Sequence, residues 1–149
     1  MFLEKLEAFP RIILAHYPTP LELLPRLSDE LGRAIYLKRD DLMGPAMGGN
    51  KVRKLEYLLA DAQKREMERV VTFGGLQSNH ARLTAAAARR CGMEAHLFYF
   101  ERRPQRLTGN LLLNRLLGAR MHFVPIGGAG GGMTLELTCR LVHWLARLW

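Results

Sequence analysis

The sequence predicts an α/β protein, a parallel sheet with flanking helices, and three observations lead there. Short β-rich runs alternate with longer segments of helical period along most of the chain. That alternation marks βαβ units and a parallel sheet covered on both faces. Glycine pairs open the helices at Gly48-Gly49 and Gly74-Gly75, and ligands of such sheets sit where loops lead into helix N-termini. The scale also suits one domain: 149 residues, 48% hydrophobic and 24% charged, can bury a real core.

The elements follow in order. Residues 1–32 carry two X-Pro turns, Tyr17-Pro18 and Thr19-Pro20, and form an arm leading into a first strand over Arg33–Lys38. Asn50–Met67 has the helical period, with Val52, Leu55, Leu59 and Ala62 along one stripe and Leu58 beside it. Arg69–Phe73 reads as a strand ended by Gly74-Gly75. Ser78–Arg90 is an alanine-rich helix that Gly92 closes. A strand over Glu94–Phe100, a helix over Thr108–Leu117 and a strand over Met121–Pro125 complete the alternation. A glycine-rich turn (Gly127–Gly132) and an amphipathic helix (Thr134–Trp149) are expected beyond them. That turn lacks the Lys-Ser/Thr ending of a nucleotide phosphate loop.

Composition excludes several classes. Disordered, collagen-like and disulfide-scaffold chains do not look like this. No apolar run of about 18 residues suggests a membrane span. The acids mixed into the N-terminus argue against a signal peptide. Cys91 and Cys139 make no spaced framework, so the expectation is a cytoplasmic protein with no membrane partner. His16, His96, His122 and His143 show no metal-ligand spacing. Net charge is +8, and from Arg102 onward seven arginines face one acid, Glu136. A basic balance raises polyanions as partners. The arginines are scattered and no aromatic residues interleave with them, so no nucleic-acid partner is expected.

Two strand-to-helix junctions could carry chemistry. In Gly48-Gly49-Asn50-Lys51-Val52-Arg53-Lys54 a glycine pair opens a helix whose first turn is cationic. Cations there oppose the helix dipole, so the run is either a solvated basic face or a site for an anion or aldehyde. In the second case a lysine crowded by positive charge and held from water serves as an amine nucleophile. In Phe73-Gly74-Gly75-Leu76-Gln77-Ser78-Asn79-His80, Ser78 suits a helix N-cap. The bland reading is a capped helix. The functional one places a carboxylate or phosphate on the free N–H groups beyond the cap.

Four stretches occur together in one order: Tyr17-Pro-Thr-Pro-Leu-Glu22, Lys38-Arg-Asp-Asp-Leu42, Gly48-Gly-Asn-Lys-Val-Arg-Lys-Leu-Glu56 and Gly74-Gly-Leu-Gln-Ser-Asn-His80. In this the chain closely resembles the pyridoxal-phosphate enzymes of the D-cysteine desulfhydrase and 1-aminocyclopropane-1-carboxylate deaminase family. These have the tryptophan synthase β-like fold (fold type II). The resemblance runs from about Phe9 to Phe123.

It implies pyridoxal 5'-phosphate as cofactor and assigns roles. Lys51 is the Schiff-base lysine, which then moves protons at the substrate's α-carbon. Asn79 holds the cofactor's phenolic oxygen, and Asn50 the phosphate or the lysine loop. Ser78, with the N–H groups of Asn79 and His80, takes the carboxylate of a small amino-acid substrate. Arg53 and Lys54 stand beside Lys51 as candidate cations for the phosphate. The deaminase branch tends to have Gln-Thr-Arg after the Ser-Asn pair, whereas this chain has His80-Ala81-Arg82. Gly109–Ala119 also resembles the desulfhydrase branch. The implied activity is a lyase reaction, β-elimination of D-cysteine to pyruvate, sulfide and ammonia. Opening of 1-aminocyclopropane-1-carboxylate is the alternative, as is a non-catalytic remnant.

Members of the family are about twice as long and form homodimers. The resemblance therefore implies that the chain corresponds to their N-terminal half, and a truncated form is expected. Residues 1–48 would be an arm and strand of the large domain, and 49–149 the small αβ domain.

Overall fold

The computed structural model describes residues 6–125 and residue 140. The expected glycine turn and last helix lie outside the described residues, Arg140 apart.

The arm is more structured than its proline turns suggest. Strand β1 (Leu21–Leu23) is followed by helix α1 (Pro25–Leu31) and strand β2 (Tyr36–Lys38). β1 and β2 pair antiparallel in a small sheet of their own, with Leu21 opposite Lys38. The strand begins at Tyr36 rather than Arg33 because Leu24 and Ile35 close the connection: the Leu24 N–H donates to the Ile35 carbonyl at 2.9 Å. Pro25 opens α1, where its missing N–H costs nothing, and Gly32 ends it in the left-handed region at φ +63°.

The main body is a three-stranded parallel sheet, β3 (Arg69–Phe73), β4 (Glu94–Tyr99) and β5 (Arg120–Phe123), in the order β3-β4-β5. Helices α2 (Lys51–Lys64), α3 (Asn79–Arg90) and α4 (Gly109–Leu116) lead into or connect these strands. Two crossovers stepping the same way with the usual right hand put their helices on one face. Accordingly Val70, Ala95, Leu97, Tyr99, Met121 and Phe123 join the helix-side core with Val52, Leu55, Leu59 and Leu83. The register sends Val71, Phe73, His96, Phe98 and His122 to the other face. Among the described residues all three helices lie on one side, not on both as the alternation implied. Rings tile the other side, with His122 stacked on Phe98 at 4.5 Å and on His96 at 5.2 Å.

α3 is the centre of the helix layer. Eight consecutive residues, Ala81 to Ala88, are buried, because α2, α4 and the sheet press on it from three sides. Alanine at 81 and 85–88 permits that approach at little loss of side-chain entropy. α2 stops at Lys64, short of Met67, since Glu66 turns into the left-handed region at φ +56°. Leu58, beside the apolar stripe, is exposed at 56%.

Two side-chain clasps fasten the arm to α2, the first of them built on Glu56. Glu56 is fully buried, and its Oε1 accepts from the backbone N–H groups of Leu14 (3.0 Å) and Ala15 (3.1 Å). Its Oε2 accepts from Arg11 Nε (2.8 Å) and the Tyr17 hydroxyl (3.0 Å). A second clasp joins Asp40 to Arg53 through a two-pronged pair at 2.8 and 2.6 Å. It holds the Asp40 carboxyl below the usual carboxylate range. The motif residues Tyr17, Asp40, Arg53 and Glu56 are thus accounted for by these clasps.

Candidate active site

The two glycine junctions converge. Gly48, Gly49, Asn50, Lys51, Asn79 and Arg82 line one cavity of about 330 Å³, with Asp41, Met47 and Leu83 completing its wall. The volume is in the range of small-ligand sites.

Backbone geometry dictates the first junction. Gly48 sits at φ +64°, and a Cβ there would lie 2.0 Å from the Asp41 carbonyl oxygen. Only glycine passes under the 39–42 turn at that distance. The Gly49 N–H then donates to the Asp40 carbonyl at 2.8 Å, and α2 starts at Lys51. Lys51 thereby enters the cavity from the first turn of a helix. Asn50 occupies the N-cap position without capping by its side chain, and it is exposed on the cavity rim.

The second junction is built around Ser78, whose Oγ accepts from the Ala81 N–H at 3.2 Å as a true N-cap. Gly74 makes room for it, since a Cβ there would lie 2.6 Å from that oxygen. Ser78 does not line the cavity, and its oxygen is engaged by the cap. From α3, Asn79 and Arg82 face the cavity, three residues apart on one helix face. His80 turns the other way. Its ring lines a separate groove of about 250 Å³ with Leu55, Val70, Thr72 and Thr84. Burial pushes this imidazole below its ordinary 6.5, and the cations of Lys54 and Lys51 act in the same direction. Its contribution to the expected carboxylate site is then its backbone N–H, which like that of Asn79 has no partner within the helix.

Two residues not singled out for a role from the sequence complete the site. Arg82 is only 6% exposed. Its Nη2 donates to the Gly48 carbonyl (3.3 Å) and to Asn79 Oδ1 (3.2 Å), bridging the two junctions. Its Nε and Nη1 are sealed and have no partner among the described residues. Burial lowers its pKa, and among the described residues no carboxylate is paired with it. Asn110, at the start of α4, donates to Asn79 Oδ1 at 3.0 Å and to the Gln77 carbonyl at 2.7 Å. The helical spacing of 79 and 82 was a signal for Arg82. Asn110 offered only its place in the Gly109–Ala119 stretch, because it reaches the site across an intervening strand.

The cavity thus offers an amine, an amide with its N–H₂ left over, and a buried guanidinium, while its one acid, Asp41, is occupied by Arg39 at 2.8 Å. Such a donor set suits a flat anionic ligand with an aldehyde, and these residues fit pyridoxal phosphate. Arg53 is committed to Asp40, and neither it nor Lys54 lines the cavity. Among the described residues no group of three or more His, Cys, Asp or Glu side chains could hold a metal ion. No helix there is long and apolar enough to cross a membrane.

Known proteins resemble this chain in sequence and fold. A putative 1-aminocyclopropane-1-carboxylate deaminase of Pyrococcus abyssi is 50% identical over 113 residues, covering 76% of this chain and 34% of that protein. A D-cysteine desulfhydrase of Salmonella paratyphi B is 57% identical over 93 residues, 62% of this chain and 28% of that one. The chain thus spans about a third of the length of the curated relatives it matches. A crystal structure of an ACC deaminase homologue superposes with a TM-score of 0.82 at 38% identity, covering 97% of this chain and 42% of that one. The processed form of threonine deaminase isoform 2 from Solanum lycopersicum shares the fold, with a TM-score of 0.67 at 24% identity. The family model described as pyridoxal-phosphate dependent enzyme matches residues 12–143, running past Phe123 where the motif resemblance was expected to end. On these grounds the chain belongs to the pyridoxal-phosphate dependent enzyme family.

Proposed function

We propose that this chain carries the cofactor lysine, Lys51, of a pyridoxal-phosphate dependent lyase that eliminates the β-substituent of D-cysteine, giving sulfide, pyruvate and ammonia with uptake of one water. The observation that carries this reading is the convergence of Lys51 and Asn79 on one cavity from two helix N-termini. Bound there, pyridoxal phosphate would supply an electron sink for the charge left at a deprotonated α-carbon.

The chain's own residues would do the rest. Lys51 would hold the cofactor through its amine, and the same amine would take the substrate's α-proton. Asn79 donates from its amide to the ring hydroxyl. The first turn of α3, with the N–H groups of Asn79 and His80 and the O–H of Ser78, receives the substrate carboxylate. Asn50 stands at the rim beside the lysine loop.

For the substrate, Asn110 favours D-cysteine. It comes from Gly109–Ala119, the stretch resembling desulfhydrases, and it touches Asn79 in the site. Opening of 1-aminocyclopropane-1-carboxylate is the second reading, supported by the longer match to the Pyrococcus protein. We further propose that residues 1–48 belong to a larger unit and 49–149 to a smaller one. The exposed Leu21, Leu23, Tyr36 and Leu37 of the small sheet support this, because a two-stranded sheet open on both faces is marginal alone.

Incubation with pyridoxal phosphate should give an absorbance band at about 410–420 nm that Lys51→Ala abolishes. A band retained in Lys51→Ala, lost instead in Lys54→Ala, would overturn the assignment. Sulfide from D-cysteine against 2-oxobutyrate from 1-aminocyclopropane-1-carboxylate separates the two substrate readings.

A further inference from the structure

The oxygen of the Asn79 side chain stands between two donors that cannot exchange roles. Arg82 is a donor only, and its Nη2 lies 3.2 Å from Asn79 Oδ1. On the other side, Asn110 Nδ2 lies 3.0 Å away. Its identity as nitrogen follows from its second contact, 2.7 Å to the Gln77 carbonyl oxygen, which can only accept. A turned-over Asn79 amide would set its N–H₂ against both donors. Losing two hydrogen bonds disfavours that state by roughly 30-fold.

We propose that Arg82 and Asn110 are positioning residues that fix the Asn79 amide as an obligate donor toward the Lys51 cavity, so that the site accepts a ligand oxygen with spare lone pairs and refuses a donor. This inference rests on the functional reading above, in which that oxygen is the deprotonated ring hydroxyl of the cofactor. The guanidinium also polarises the amide through its oxygen, which strengthens the N–H groups on the far side.

Both positioning residues are held in turn. Arg82 is buried, and the same Nη2 reaches the Gly48 carbonyl, so the lysine loop and the amide share one anchor. Asn110 is clamped by Gln77, whose Oε1 accepts from the Asn110 backbone N–H at 2.8 Å and whose Nε2 donates to the Thr108 carbonyl at 3.2 Å. Gly109 admits that clamp, since it lies at φ +54° and a Cβ there would fall 2.5 Å from Gln77 Oε1. The Gly109-Asn110 pair thereby acquires a task at the site.

The test has two arms on the full chain. In the cofactor-free protein, the side-chain N–H₂ resonances of Asn79, identified by their loss in Asn79→Asp, should form one sharp pair in nitrogen-15 spectra. Arg82→Met and Asn110→Ala should each displace or broaden that pair, and Arg82→Lys should return it part of the way. In the cofactor-loaded protein, the pH midpoint of the lysine-cofactor band should move by about one unit in Asn79→Asp. Arg82→Met and Asn110→Ala should move it in the same direction by less, and Arg82→Met combined with Asn79→Asp should add nothing. An Asn79 pair unmoved by both substitutions, or additive midpoints in the double variant, overturns the proposal. The first arm decides it even if Lys51 proves not to carry the cofactor.

Discussion

Replacing Glu56 by glutamine should loosen the arm without collapsing the sheet. The carboxylate is fully buried, yet its two oxygens face different partners. Oε1 takes the Leu14 and Ala15 N–H groups, which a glutamine oxygen can still accept. Oε2 takes Arg11 and Tyr17, and there the new amide nitrogen meets donors. Tyr17 can rotate its hydroxyl and accept; arginine cannot. A hydrogen bond to a charged group contributes about 1.5–3 kcal/mol. The Arg11 side chain is 36% exposed and can turn to water, so the lower part of that range applies. The expected cost is about 2 kcal/mol, roughly a 30-fold rise in the population with the arm detached. Glu56→Ala strands two buried N–H groups as well and should cost about 4 kcal/mol. Urea unfolding gives the stability change, and hydrogen exchange at Leu14 and Ala15 gives the local opening. The Tyr17 phenol supplies a third signal. Burial first, then Glu56, holds its pKa above the ordinary 10.0, so the glutamine variant should titrate lower. A loss under about 0.5 kcal/mol with unchanged exchange at Leu14 would refute the clasp as the arm's main tether.

Two further outcomes follow from the same geometry. Gly48→Ala forces a Cβ to within 2.0 Å of the Asp41 carbonyl at a positive φ, so melting should fall by several degrees and Lys51-dependent cofactor absorbance should fall with it; a variant melting like the parent would show that the 39–42 turn yields freely. Acidification should destabilise the fold from about pH 6.5 downward. The His80 and His122 imidazoles are both held below 6.5 by burial, so the unfolded chain binds protons first as pH falls. Asp40 adds a second loss only below its ordinary 3.8. Melting temperatures at pH 7.5 and 5.5 should differ, and His80→Gln should narrow the gap; a flat profile would contradict the burial argument.

Periodicity and punctuation made the main body legible. The stripe in α2, the Ser78 cap and the alternation of β3, β4 and β5 are local signals, and they appear within a few residues of where they were read. Three features were not legible, each for a non-local reason. The hidden strand β1 is only Leu21–Leu23, too short for a period, and it exists because β2 pairs with it. Among the described residues the helix layer of the main sheet is one-sided, which follows from strand order and which alternation alone leaves open. Within the site, the motifs pointed to Lys51, Asn50 and Asn79, which share the cavity, and also to Ser78 and His80, whose side chains do not line it. Successive residues on a helix point about 100° apart. Here that step carries Asn79 to the cavity and His80 to the groove on the other side. His80 shares its groove with Thr84, one turn along the same face.

The same angle decides which cations matter. From Lys51, Arg53 lies about 200° around α2 and points to the far side, where Asp40 receives it. Lys54 returns to within about 60° but stands nearly a turn further along the axis, and it is exposed. The basic run that drew notice in the sequence therefore contributes one charge to the cavity. The second charge comes from Arg82 on a different helix. The two cations are not equivalent. An ammonium can give up its proton and form a bond to carbon, whereas a guanidinium stays charged, and here its Nη2 alone meets two acceptors. Lys51 thus suits the covalent and proton-moving part, and Arg82 the permanent charge that bridges Gly48 and Asn79. Exchanging them, as Lys51→Arg or Arg82→Lys, keeps the net charge and removes a different capacity in each case. The formal +8 of the chain says nothing about this division, because it arises from two residues whose positions are set by separate helices.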